Sequence, residues 1–265
     1  MLQFPDLERR FGGLARLYGA PGANNIRRAH VVVVGLGGVG SWAAEALARS
    51  GVAHLTLIDL DHVAESNINR QIHALDNTLG QSKVQAMRER ISLINPDCDV
   101  RCIEEFVDAS NWPAIAGLDL MNDVSVLDAC DQVKAKIAMG AWAVRHKARL
   151  VTVGAAGGKR HAHKVEIEDL ADTSHDPLLA QVRYRLRKEH GAARQGRIGI
   201  NCVFSREPVM MPVTDSNTLQ TDNTLNCHGY GSVVSVTATF GICAAGWLLD
   251  KIAQQRGLVG NKTEL

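Results

Sequence analysis

Four consecutive valines, Val31 to Val34, run straight into Gly35-Leu36-Gly37-Gly38-Val39-Gly40 and then into the Ala-rich stretch Ser41 to Ser50. No other part of the chain restricts the possible folds as strongly. An unbroken β-branched run predicts a central parallel strand buried on both faces. Gly35, Gly37 and Gly40 satisfy G-x-G-x-x-G, with Gly38 inside the same turn. Glycine permits the tight turn and lets backbone approach phosphate, and the helix that follows offers free N–H groups and the positive end of its dipole. Asp59 closes the next strand, Leu55 to Asp59, where a ribose-binding acid belongs in such a unit. Strand, turn, helix and acid imply a nucleotide on a doubly wound, Rossmann-like α/β sheet, mainly parallel with helices on both faces. So far a nicotinamide-dependent oxidoreductase or a plain dinucleotide-binding module fits equally well.

The next segment favours phosphate chemistry. Asp61 is followed by Glu65-Ser66-Asn67-Ile68-Asn69-Arg70-Gln71, and Lys83 opens a helix that runs to Ile94 with apolar Val84, Met87 and Ile91 before Asn95-Pro96 stops it. A loop that only caps a helix needs one or two such polar residues. Arg70 offers a permanently charged planar fork suited to phosphate oxygens. A lysine in the first helical turn opposes the macrodipole, so Lys83 is better placed to meet an anion. Departing pyrophosphate needs such cations as its charge develops.

Further strands are expected at Val100–Ile103, Val124–Leu127 and Leu150–Val153. The second of these ends in Asp128-Ala-Cys-Asp131. Carboxylates beyond the C-terminal end of a parallel strand lie where open α/β sheets bind ligands. Asp131 is therefore a candidate Mg2+ ligand, hard oxygen suiting a hard cation, with N-capping of a helix over 132–146 as its ordinary alternative. The glycine run 154–158 is either a second backbone approach to the ligand or a tight turn.

At 265 residues and 46% hydrophobic composition, the chain can bury a full α/β core without disulfides. The expected organisation is an ATP-binding region over 1–158, with 159–265 as the C-terminal part of the same domain. Net charge is only +1, so any nucleic-acid contact must be local. Residues 183–197 supply such a patch, with five more Lys and Arg than acids and Tyr184 among them, on a helix expected over 178–190. The alternative is a solvated helix face. Residues 212–226 read as a mobile polar loop. Residues 229–249 carry no charge and read as a buried apolar helix, with peripheral or single-span membrane attachment left open. None of the six cysteines forms a C-x-x-C pair. Cys202 and Cys227 read as spectator thiols, and the start MLQFPDLERRFGG lacks the order of a secretory leader, so the expected compartment is the cytoplasm.

The succession GLGGVGS, D-L-D with S-N-I-N-R-Q, G-Q-S-K and D-A-C-D resembles the adenylate-forming superfamily of ubiquitin-activating-type enzymes. Within it the chain is most similar to the tRNA threonylcarbamoyladenosine dehydratases. The stretches that carry this are R-R-F-G-G-L-A-R-L-Y-G, N-R-Q-I-H-A-L, G-A-A-G-G, N-C-V-F-S and V-T-A-T-F-G. The resemblance covers the chain from about Arg9 to Leu249. It implies ATP and Mg2+ as cofactors and a modified tRNA as substrate, in a homodimer, with a sulfur-relay protein as a possible further partner. By that resemblance Gly35 to Gly40 hold the nucleotide and Asp59, with Asp61 beside it, the ribose. Asn67, Arg70, Gln71 and Lys83 face the phosphates, Asp131 meets the magnesium, and Arg16, or Arg10, reaches the partner subunit's ATP. Sulfur-carrier adenylyltransferases of the superfamily hold zinc with two C-x-x-C pairs, a site this sequence cannot build. An adenylyltransferase for a ubiquitin-like or sulfur-carrier protein stands as the alternative, with the oxidoreductase behind it.

Overall fold

The computed structural model describes residues 6–118, 123–210 and 230–255. The expected 212–226 loop and Cys227 lie outside them. Two helices, α1 (Leu7–Phe11) and α2 (Gly13–Arg28), precede β1 (His30–Val34), α3 (Gly40–Arg49) and β2 (His54–Ile58). Then come α4 (Lys83–Ile94), β3 (Asp99–Ile103), β4 (Val124–Asp128), α5 (Val133–His146) and β5 (Arg149–Val153). The chain continues through β6 (Val165–Asp169), α6 (Pro177–Glu189), β7 (Asn201–Ser205) and α7 (Val234–Ala253).

The strands form one seven-stranded sheet in the order β3-β2-β1-β4-β5-β7-β6. All neighbours are parallel except β6 and β7, which pair antiparallel. Val31 and Val33 of β1 pack with α3, α4 and α7 on one face, while Val32 and Val34 pack with α5 and α6 on the other. That two-sided burial explains the unbroken valine run: neither face of β1 meets water. Each fully buried valine contributes about 2 kcal/mol.

Apart from the C-terminal apolar helix, the expected strands and helices lie within a residue or two of their observed ends. Strands β6 and β7 went unanticipated. In β6, V-E-I-E-D alternates and is only half-buried, because an antiparallel edge strand keeps one face wet and lacks the apolar signature of the central strands. Both follow residue 158 and join the same sheet, β7 directly against β5. The apolar helix begins later than expected, at Val234, and runs on to Ala253. It is long and apolar enough to cross a membrane, but Val236, Phe240, Ala244, Leu248 and Ile252 are buried in the sheet-facing core. Its hydrophobicity is that of a core helix.

The chain order reverses between β1 and β4, since β1 leads outward to β2 and β3 on one side and the later strands lie on the other. That switch point opens a crevice beyond the carboxyl ends of the strands, the expected ligand position in such a sheet.

Candidate functional site

A cleft of about 1130 Å3, counting the part open to solvent, occupies the switch point. Its lining comes from the end of β1 with the glycine turn, the end of β2 (Ile58, Asp59, Asp61), the ends of β4 and β5, and the loop after β3.

The glycines act in different ways. Gly35 has φ +85°, and a Cβ there would lie 2.8 Å from the Cys130 nitrogen, so only glycine fits the turn under the β4 loop. At Gly40 a Cβ would lie 1.8 Å from the Gly35 carbonyl oxygen, which makes it the close-packing position of helix on strand. A Cβ on Gly37 would meet nothing within 4 Å, leaving bare backbone beside the cleft. No side chain caps the N-terminus of α3; the Ser41 N–H is taken by the Gly37 carbonyl at 3.2 Å, and the remaining first-turn N–H groups face the side where an anion is favoured.

Asp59 accepts from the Leu36 N–H at 2.5 Å and the Asp61 N–H at 2.9 Å. It thereby braces the glycine turn from the neighbouring strand. Burial pushes its carboxyl up, while Lys83 and those two N–H groups pull the other way. Lys83 is buried in the first turn of α4, its Nζ 2.7 Å from Asp61 Oδ2. Arg70 is 9% exposed and donates through Nη1 to the Ser66 carbonyl at 2.7 Å and Asn69 Oδ1 at 2.9 Å. Its own carbonyl accepts from Trp42 Nε1 at 2.9 Å. Gln71 also borders the cleft, and its buried Oε1 has no partner. Since amide oxygen and nitrogen are assigned from partners, either orientation leaves one polar atom for a ligand.

Asp131 lies exposed on the cleft wall. It does not cap α5, whose cap position is Gln132 without a side-chain hydrogen bond. Its ordinary alternative role is therefore not taken up. Asn67 does not line the cleft: it is buried, and its Oδ1 accepts from the Ala64 N–H at 3.1 Å, closing a 3-10 turn. That oxygen braces the loop that presents Arg70 and Gln71, and the phosphate contact expected of Asn67 would fall to its Nδ2. Arg16 is exposed on α2, outside the cleft of its own subunit. Arg10 donates to the Ile94 carbonyl at 2.7 Å. Of the two alternatives for the glycine run 154–158, the tight turn is seen directly, and the place on the cleft wall that the other requires is present as well. Gly154 to Ala156 line the cleft, and Gly158, at φ +70°, makes the turn.

Sequence reasoning missed the buried cluster under the β4 end. Asp128 and Lys136 are both wholly buried, with Nζ 3.1 Å from Oδ2. Thr152 donates to Asp128 Oδ2 at 2.5 Å and accepts from Lys136 at 3.1 Å. Burial alone would lower the Lys136 pKa, yet the Asp128 carboxylate holds it above the ordinary lysine value. Asp128 was visible beside Asp131, but the paired lysine eight residues on looked like any surface lysine.

His73 was also passed over. It is 2% exposed, neither ring nitrogen has a partner, and burial with nearby Lys83 and Arg90 pushes it down to about 4. Between pH 6.5 and 4 the unfolded chain therefore takes up a proton that the native imidazole refuses. Stability present at pH 7 falls as pH drops below 6.5, by about 3 kcal/mol in all from this group. Denaturant midpoints measured from pH 7 to pH 4 should show this slope, and His73→Leu should flatten it. An unchanged slope in the variant would contradict the assignment.

The basic helix is largely committed internally. Arg183 donates to the carbonyls of Leu170 and Thr173, Arg185 pairs with Glu189 at 3.0 Å, and Arg187 donates to the Ala193 carbonyl. Arg197 lies 3.6 Å from Asp169. Lys188 sits 5.7 Å from the centroid of the Tyr184 ring, which is 62% exposed. The expected patch thus narrows to Tyr184, Lys188 and Arg194.

Burial raises the thiols of Cys130 and Cys202 well above the ordinary value, so neither is a poised thiolate. Among the described residues no group of three or more His, Cys, Asp and Glu side chains is arranged to hold a metal.

The ThiF family pattern matches residues 10–264. The tRNA threonylcarbamoyladenosine dehydratase of Haemophilus influenzae is 40% identical over 97% of this chain and 98% of its own length. That of Escherichia coli is 43% identical over 92% and 93%. Crystal structures of the Escherichia coli enzyme in complex with ATP and with AMP each superpose with a TM-score of 0.82 at 42% identity, both covering 95% of this chain. The Escherichia coli molybdopterin-synthase adenylyltransferase, by contrast, is 38% identical over only 51% of this chain. The family match over nearly all of the chain, on a sheet with its cleft at the switch point, shows that this protein belongs to the ThiF family.

Proposed function

We propose that this protein is an ATP-dependent tRNA threonylcarbamoyladenosine dehydratase that closes the threonylcarbamoyl side chain into a ring. The observation that carries the reading is the grouping of Arg70, Lys83 and Asp131 around the glycine turn in one cleft, in a chain that matches so-named relatives almost end to end. The threonyl carboxylate oxygen attacks the α-phosphorus of ATP, and the bond to the pyrophosphate oxygen breaks. Arg70 and Lys83 meet the charge that develops on the leaving group, and Lys83 gives up part of its pairing to Asp61 to do so. The substrate's own carbamoyl group then attacks the acyl-adenylate, losing a proton as AMP departs. The substrate thereby loses the elements of water, its carboxylate oxygen leaving on AMP. The internal nucleophile explains why no described cysteine needs to be a thiolate.

Mg2+ fits the site without a prebuilt cage, because it is usually held by one or two carboxylates together with substrate phosphates. Asp131 would hold it and Asp61 stands across the cleft; when bound, the ion neutralises phosphate charge. Asp131→Asn is expected to raise the half-saturating Mg2+ concentration by at least the roughly tenfold that disturbing even an outer-shell partner costs. A magnesium titration of turnover checks this, and an unchanged midpoint removes Asp131 from the metal.

Tyr184, Lys188 and Arg194 form the candidate RNA contact. Arg16, exposed and outside its own cleft, is the candidate to complete the ATP site of a second subunit in a homodimer. The working compartment is then the cytoplasm.

The experiment incubates the protein with ATP, Mg2+ and threonylcarbamoyl-modified tRNA, digests the RNA and weighs its nucleosides. ATP-dependent loss of one water supports the reading. An unchanged nucleoside from a preparation that binds ATP points instead to a protein-carrier adenylyltransferase. That alternative predicts ATP–pyrophosphate exchange only with a small protein ending in Gly-Gly.

A further inference from the structure

We propose that Asp176 is a positioning residue for the nucleotide cleft, its carboxylate clamping the Gly154–Ala156 wall to the first turn of α6. Asp176 is 4% exposed. Its Oδ2 accepts from the Ala155 N–H at 2.9 Å, and its Oδ1 accepts from the Leu179 N–H at 3.0 Å. One oxygen thus serves the cleft wall at the end of β5 and the other caps α6. Both bonds are charge-assisted and sheltered from water, which makes them stronger than neutral ones.

Gly154 supplies an independent observation. A Cβ there would lie 2.0 Å from Asp176 Oδ2 and 2.9 Å from its Cγ. The carboxylate fills the space where residue 154 would otherwise carry a side chain, so the glycine and the aspartate are one device. Lys159 secures it from behind, its buried Nζ donating to the carbonyls of His175, Ser205 and Glu207. Gly154, Ala155 and Ala156 line the cleft from one side of the clamp and Leu178 from the other. Because α6 also carries Tyr184 and Lys188, the clamp joins the nucleotide wall to the helix read above as the RNA contact. This last consequence, and the turnover measurement below, rest on the proposed dehydratase activity.

The test compares full-length protein with Asp176→Asn, Asp176→Ala, Gly154→Ala and the Asp176→Ala/Gly154→Ala double variant. ATP affinity is read by calorimetry, and KM for ATP and for modified tRNA from turnover. Asparagine keeps one acceptor and turns an N–H toward a backbone donor. Its ATP Kd and KM are expected to rise roughly tenfold, the equivalent of one charge-assisted hydrogen bond, with the KM for tRNA within about twofold of wild type. A purely structural role would lower the active fraction and leave both ATP constants unmoved. Gly154→Ala should be as damaging as Asp176→Ala, yet add little in the double variant, because removing the carboxylate empties the space. Unchanged ATP constants in folded Asp176→Asn, or full additivity in the double variant, overturns the clamp. If Asp176→Asn does not fold, Gly154→Ala, which keeps the carboxylate, carries the ATP measurement in its place. ATP affinities that respond as stated in a protein that never dehydrates tRNA would leave the clamp standing and remove the dehydratase reading.

Discussion

Lys83→Ala is expected to lower turnover by about two to three orders of magnitude, as losing a preorganised donor to developing charge does elsewhere. The side chain is buried at the start of α4, borders the cleft and pairs with Asp61 at 2.7 Å. Its partner is 57% exposed, so water can solvate the carboxylate left behind and the stability cost stays small. The defect should therefore appear in the chemical step, as a fall in kcat, while the thermal midpoint hardly moves. Removing the cation also removes part of what holds His73 neutral. The acid-induced loss of stability should still begin near pH 6.5 in the variant but end at a higher pH and be smaller in total. Rapid-quench measurement of AMP formation with modified tRNA checks the first point and pH-dependent unfolding the second. A variant retaining turnover within about tenfold of wild type would take Lys83 out of the charge-stabilising role.

Lys136→Ala is expected to produce the largest loss of stability, about 3–5 kcal/mol, because it leaves Asp128 as an uncompensated buried charge. Both side chains are wholly inaccessible and 3.1 Å apart. The neutral donors that remain, Thr152 at 2.5 Å and the Cys130 N–H and thiol at 3.2 and 3.0 Å, cannot neutralise the carboxylate. Removing both charges together should be far milder, since buried pairs can often be replaced by apolar side chains of similar volume. Lys136→Met with Asp128→Leu should therefore recover most of the loss in a denaturant titration. Equal losses in the single and double variants would mean that the pair does not set stability here. The cluster lies beneath the β4 end that leads into Cys130 and Asp131 on the cleft wall. ATP affinity in the recovered double variant then reads whether the ion pair also shapes the wall.

Much of the site was legible because it is local. Gly35, Gly37, Gly38, Asp59, Asp61, Arg70, Gln71, Lys83 and Asp131 lie in or beside the turns between strands and helices whose pattern is plain in sequence, and all of them line one cleft. Asn67 shows the limit of such reading. A polar residue in a polar run looks wholly free for a ligand, yet the Oδ1 of its amide is already taken by the Ala64 N–H. The arginines of α6 teach the same lesson from the other direction. Their charge count was right, but Arg183, Arg185 and Arg187 are each taken up by nearby carbonyls or a glutamate. Composition reports how many cations there are and says nothing about which remain available to a partner.

What the sequence determined by itself is whatever depends on residues a few positions apart: the buried valine strand, the glycine turn, the helix starts and the acids that follow strands. The physical reason is that periodicity, glycine conformation and capping are all local effects. Tertiary structure alone decided the pairings across long separations. It put Lys136 against Asp128 and Thr152, the Asp176 carboxylate in the space missing from Gly154, and β7 beside β5 with β6 beyond it. A charge reads as exposed in sequence. Only a closed core, with water excluded from both partners, makes it buried, paired and costly to remove.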